Sequence, residues 1–114
     1  MNVKSELLAE AESLVTGPRA NDYGDAAINH LRIAALWNVW IGNREIPGPI
    51  SAYDAAMMMA LVKFARCQHR PATESHIDIA GYAAVVEDIY QTFINMETEE
   101  EANAGEKEPT VENG

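Results

Sequence analysis

Lys63, Arg66 and Arg70 stand at i, i+3 and i+7, a spacing that lines three cations along one face of a helix. Glu74, Asp78 and Tyr82 follow at i, i+4 and i+8, giving a second helix a face with two carboxylates and a phenol. Pro71 breaks the chain between the two runs, and so short a turn makes the helices antiparallel neighbours whose stripes face each other. The plainest outcome is an ion-pair network of little net stabilisation. The chemical outcome is an anion site. There Lys63 neutralises phosphate, Arg66 grips it through two parallel N–H bonds, and the carboxylates orient the bases or hold a divalent ion.

Other chemistries find less support. His76 and Asp78 are two residues apart and point to different sides of a helix, while His30 and His69 stand elsewhere, so a zinc or iron site is not expected. The single cysteine, Cys67, can form neither an internal disulfide nor a thiolate zinc site by itself, and it fits a reducing compartment. No glycine loop that cradles phosphate, no nucleophile elbow and no paired-cysteine motif occurs.

The elements that must position these residues are helical, for nothing alternates with a period of two over a useful length. Val3, Leu7, Leu8, Ala11, Leu14 and Val15 recur at helical spacing, and Gly17-Pro18 ends that amphipathic helix. Asp25 caps a second helix, to about Ile41, that is apolar on almost every side and so is central or part of an oligomer interface. After Pro47-Gly48-Pro49, the pair Ser51 and Asp54 makes a capping box for a third helix closed by Pro71. Ser75 and Asp78 repeat that logic for a fourth helix, where Gly81 implies close approach of another backbone.

The expected fold is all-α, a compact bundle of about four helices over residues 1–96, followed by a disordered acidic tail over 97–114. The chain has 114 residues and a net charge of −10, of which the tail holds −6. With almost no apolar residues, the tail cannot offset its ordering entropy. An acidic surface repels a phosphate backbone, which argues against nucleic-acid binding. No apolar run reaches the roughly 18 residues of a membrane span, and no basic-then-apolar leader pattern opens the chain, so a cytoplasmic protein is expected.

Three blocks taken together carry a resemblance: Arg19-Ala20-Asn21-Asp22-Tyr23-Gly24-Asp25 with Asn29, Ala34 and Trp37; residues 54–59 with Lys63-Phe64-Ala65-Arg66; and Asp78-Ile79-Ala80-Gly81-Tyr82. Over residues 7–90 the chain resembles an uncharacterised helical family of tailed phages and prophages. Members usually have Asp-Ser-Trp before the last block, where this chain has Glu74-Ser75-His76 and so keeps the acid but loses the indole. The arrangement is also distantly similar to the MazG-like nucleoside-triphosphate pyrophosphohydrolases, whose helices present a Glu-x-x-Glu and a Glu-x-x-Asp to magnesium. This chain offers only Asp54 at the start of the third helix and Glu74 and Asp78 on the fourth, an incomplete quartet.

From the residues and the resemblance together, two readings stand. In one, a phage accessory protein in the host cytoplasm binds a nucleotide through Arg19, Tyr23, Trp37, Lys63, Arg66, Asp78 and Tyr82. Tyr23 or Trp37 stacks on the base, and Glu74 and Asp78 supply ligands for Mg2+ or Mn2+, with pyrophosphate release or simple sequestration as the result. In the other, the chain is a non-enzymatic helical module that modulates a host protein. Either way a homo-oligomer, dimer or higher, is expected. The apolar second helix, the Met57-Met58-Met59 run, and Tyr90, Phe93 and Ile94 together exceed one small core, which places Trp40 and the methionines nearest the interface.

Overall fold

A computed structural model describes residues 2–17 and 24–113, with side chains through residue 104. It contains four helices, α1 (Val3–Thr16), α2 (Ala26–Asn43), α3 (Ala52–His69) and α4 (Thr73–Asn113), and no strand among the described residues. The all-α expectation holds, and most helix ends fall where the capping chemistry places them. Asn2 accepts from the Ser5 amide at 2.8 Å at the head of α1, and Asp25 accepts from the Ile28 amide at 3.0 Å at the head of α2. The capping box of α3 is complete. The Ser51 hydroxyl accepts from the Asp54 amide at 3.0 Å, and the Asp54 carboxylate accepts from the Ser51 amide at 2.9 Å.

α3 is the middle of the bundle and packs on α2 on one side and α4 on the other. Its buried residues are mostly small, Ala56, Ala60 and Ala65 beside Met58, which lets two helices approach it closely. α2 contributes Ile33 to this core. The antiparallel pairing of α3 and α4 is visible in its register, since Tyr53 meets Tyr90 with ring centroids 6.3 Å apart while, further along, Lys63 meets Asp78.

Three expectations change. α4 starts at Thr73, with the His76 amide bonded to the Ala72 carbonyl at 3.1 Å, so Ser75 is an interior, buried residue and Asp78 is released from capping. Gly81 has open space where a Cβ would stand, so among the described residues no helix backbone approaches it. Trp40 and Met58 are turned into the subunit instead of toward a partner, Trp40 by a bond to Asp54 and Met58 by burial, and of the methionine run only Met59 is exposed. Past Glu97 every side chain through residue 104 is exposed. The acidic segment lies outside the core, as its composition implies, and leaves it as a continuation of α4.

Candidate functional site

The two charged stripes meet. Lys63 Nζ lies 3.1 Å from Asp78 Oδ2, and Lys63, Arg66, Glu74 and Asp78 all line one cleft of about 580 Å³. The helical spacing of each pair and the antiparallel register put two cations of α3 opposite two acids of α4. The remaining walls come from elsewhere: Leu14 and Val15 at the end of α1, Gly24 before α2, and Ala26, Asn29 and His30 in its first turns. One end of the bundle therefore holds a concavity with an apolar wall, two cations and two carboxylates.

Asn29 is the feature that sequence reasoning missed as a site residue. It is 7% exposed, and its Oδ1 meets no hydrogen-bond partner among the described residues. An unsatisfied amide oxygen in a buried setting costs on the order of 1–3 kcal/mol, so an oxygen held this way calls for a donor that the described residues do not supply. The signal was present, because Asn29 shares a helical stripe with Ile33, Leu36 and Trp40, and a carboxamide stands out in an otherwise apolar stripe. On the cleft rim, His30 Nδ1 lies 2.6 Å from the Ala26 carbonyl, a contact in which only a protonated nitrogen can donate, so a neutral ring leaves Nε2 as an acceptor.

Gly24 shapes the entrance. Its φ of +74° lies in the left-handed region, and a Cβ there would stand 2.9 Å from the His69 ring, so the backbone passes close over the end of α3. The cap at Asp25 agrees with the sequence reading of this segment.

Of the other expected ligand residues, Arg19 and Tyr23 lie outside the described residues. Trp37 is not in the cleft, for its Nε1 donates to the Met58 carbonyl at 2.7 Å across the α2–α3 interface, a bond that occupies the indole inside the fold. Tyr82 lines a separate concavity with Ile77, Gly81 and Val85, and the Lys63–Asp78 pair forms the wall between the two. Arg70 ends α3, its amide bonded to the Arg66 carbonyl at 3.3 Å. Among the described residues no group of three His, Cys, Asp or Glu is placed to hold a metal ion. Glu74 and Asp78 fit a narrower role, because magnesium is commonly held by one or two carboxylates together with the phosphates of its substrate.

A second polar centre sits on the same three-helix core, near the start of α3. Asp54, 8% exposed, accepts from the Ser51 amide and hydroxyl at 2.9 Å each, from Trp40 Nε1 at 3.0 Å and from Arg44 Nη1 at 2.7 Å. Arg44 also donates to the Gly48 and Pro49 carbonyls, which ties down the Pro47-Gly48-Pro49 loop. The backbone bond from Ser51, assisted by Trp40, the Ser51 hydroxyl and the Arg44 charge, lowers the Asp54 pKa to about 2 against the cost of burial. These bonds brace the loop against the start of α3, and Trp40, Arg44 and Asp54 also line a cavity of about 690 Å³ with Tyr53 and Tyr90. Sequence reasoning found the capping box but not its clients, because Trp40 and Arg44 reach it through tertiary packing.

Comparison with known proteins follows this geometry closely in extent. The model of a domain of unknown function, DUF6378, matches residues 6–90, which takes in most of α1, all of α2 and α3, and the cleft-lining part of α4. The chain is 43% identical over 82 residues to the Gene 55 protein of Mycobacterium phage L5, covering 71% of this chain and 50% of that protein. It is 34% identical over 99 residues to the Gene 55 protein of Mycobacterium phage D29, covering 83% and 60%. The chain thus spans half to three fifths of the length of these curated relatives. No solved structure matches it.

Proposed function

The chain belongs to the DUF6378 family and is similar to mycobacteriophage proteins, and from that premise we propose that it binds a nucleotide together with its divalent ion in the cleft between α1, α2, α3 and α4. The observation that carries this reading is the convergence, in one cleft, of Lys63 and Arg66, Glu74 and Asp78, an apolar wall at Leu14 and Val15, and the buried oxygen of Asn29. Each part has a chemical counterpart. The cations meet phosphate, Glu74 meets the ion that accompanies it, the apolar wall takes the face of a base, and Asn29 accepts from an exocyclic amine or ring N–H.

Charge balance favours the ion-bearing form of the ligand. Two cations and two acids cancel, so a bare polyanion gains little there, whereas a metal-bound one satisfies both signs. Pyrophosphate release in the manner of the MazG-like enzymes is the finer version, and it requires Asp78 to exchange Lys63 for the metal. Sequestration requires no such exchange. A thermal-shift panel of nucleoside mono-, di- and triphosphates, with and without magnesium or manganese, tests the reading. Stabilisation by at least one nucleotide that disappears in Arg66→Ala is expected, and a flat panel rejects it.

A further inference from the structure

Near the start of α3 the rings of Trp40, Tyr53 and Tyr90 follow one another, with Tyr53 6.3 Å from each neighbour between centroids and the planes turned by 42° and 59°. The turning makes the row a curved wall, and it borders the cavity of about 690 Å³ together with Ile46, Pro47 and Pro49. Tyr53 and Tyr90 remain 38% and 49% exposed, so packing between the helices does not use up their rings. Arg44 holds the loop in place through the Gly48 and Pro49 carbonyls, and the cavity is thereby preformed.

The charges around it leave one acid over. Arg44 is paired with Asp54 at 2.7 Å, whereas Glu45, exposed at the cavity, makes no ion pair among the described residues. The positive N-terminal end of α3 is covered by Ser51 and Asp54, and the C-terminal carbonyls of α2 add negative potential. Ring faces carry the negative side of the aromatic quadrupole, so the site suits a cation. Which cation follows from the hydrogen bonds. The Asp54 carboxylate already accepts four donors, as many as its lone-pair sites take, and the Gly48 and Pro49 carbonyls are bound to Arg44. A primary ammonium or a guanidinium would give up its water there for few acceptors in return. An alkylated ammonium has no such N–H groups to satisfy, and one ion placed over the joint between two rings lies within about 6 Å of both centroids. We propose that this cavity binds a small quaternary ammonium compound, with its methyl groups against Trp40, Tyr53 and Tyr90 and its charge toward Glu45. A net charge of −10 repels the chain from an anionic membrane surface, which favours a free solute over a lipid headgroup.

The cavity shares no lining residue with the Lys63–Asp78 cleft, so its test stands apart from the nucleotide reading. Choline chloride is titrated into the nitrogen-15-labelled full chain at constant ionic strength, beside the uncharged isostere in which carbon replaces the choline nitrogen. Choline should move the Trp40 indole and the amides of Glu45, Tyr53 and Tyr90 in a saturable way at millimolar concentration, and leave those of Lys63 and Arg66 in place. The isostere should bind about tenfold more weakly, and Tyr90→Leu should lose the choline response. Equal binding of the isostere, no saturable shift, or an undiminished response in Tyr90→Leu overturns the proposal. So does binding to phosphatidylcholine vesicles by a chain that ignores free choline. Should Tyr90→Leu lose its helical circular dichroism, the wild-type comparison of the two probes still decides.

Discussion

Removing the Asp54 charge should weaken the fold by an amount that depends on pH in a defined direction. In Asp54→Asn the carboxamide keeps the shape, but it cannot serve as an ionised acceptor for the Ser51 amide, the Ser51 hydroxyl, Trp40 and Arg44 at once. In the folded protein the carboxyl pKa falls from 3.8 to about 2. A shift of nearly two units corresponds to on the order of 2 kcal/mol of stability. Because the folded pKa lies below the unfolded one, that stability is fully present above about pH 4 and disappears as pH falls toward 2. Urea unfolding of wild type and Asp54→Asn at pH 7, 4, 3 and 2, followed by circular dichroism, isolates the effect, since other carboxylates titrate alike in both proteins. The difference should be largest at pH 7, only slightly smaller at pH 4, and shrink steadily through pH 3 to pH 2. A pH 7 difference below about 0.5 kcal/mol, or one that persists at pH 2, refutes the assignment of Asp54 as an ionised hub.

Gly24→Ala combines a left-handed backbone angle with a clash against the His69 ring, and a loss of about 1–3 kcal/mol is expected in urea unfolding at pH 7. Trp37→Phe removes the bond to the Met58 carbonyl from the α2–α3 interface, which should cost about 1 kcal/mol while leaving Trp40 as the sole indole to report the transition. In the nucleotide panel, Trp37→Phe should keep the wild-type response whereas Arg66→Ala loses it, because only Arg66 lines the cleft.

The parts of this fold that were legible in the sequence are those set by local chemistry. Asp25, and Ser51 with Asp54, announce helix starts because a short polar side chain at that position satisfies amides only three residues away. The meeting of Lys63 with Asp78 was also legible, since Pro71 forces the turn and helical spacing then fixes the register. What depends on packing was not. Ser75 and Asp78 have the same local pattern as Ser51 and Asp54, yet α4 begins earlier and uses Asp78 for the ion pair. Trp37 carries an aromatic face suited to a base, and only the position of α3 shows that its N–H is engaged inside the protein. Gly81 illustrates the same limit, because a glycine in a helix signals close approach only when a neighbouring helix is on that side.

The most direct test of a ligand cleft at the Lys63–Asp78 end of the bundle is amide chemical-shift mapping on the nitrogen-15-labelled chain as a magnesium-bound nucleoside triphosphate is added. The amides of Ala26, Asn29, Lys63, Arg66 and Glu74 should shift together in a saturable way, while those of Arg44, Ser51 and Asp54 at the other polar centre stay in place. No saturable shift, or shifts centred on Arg44 and Asp54, would contradict the account.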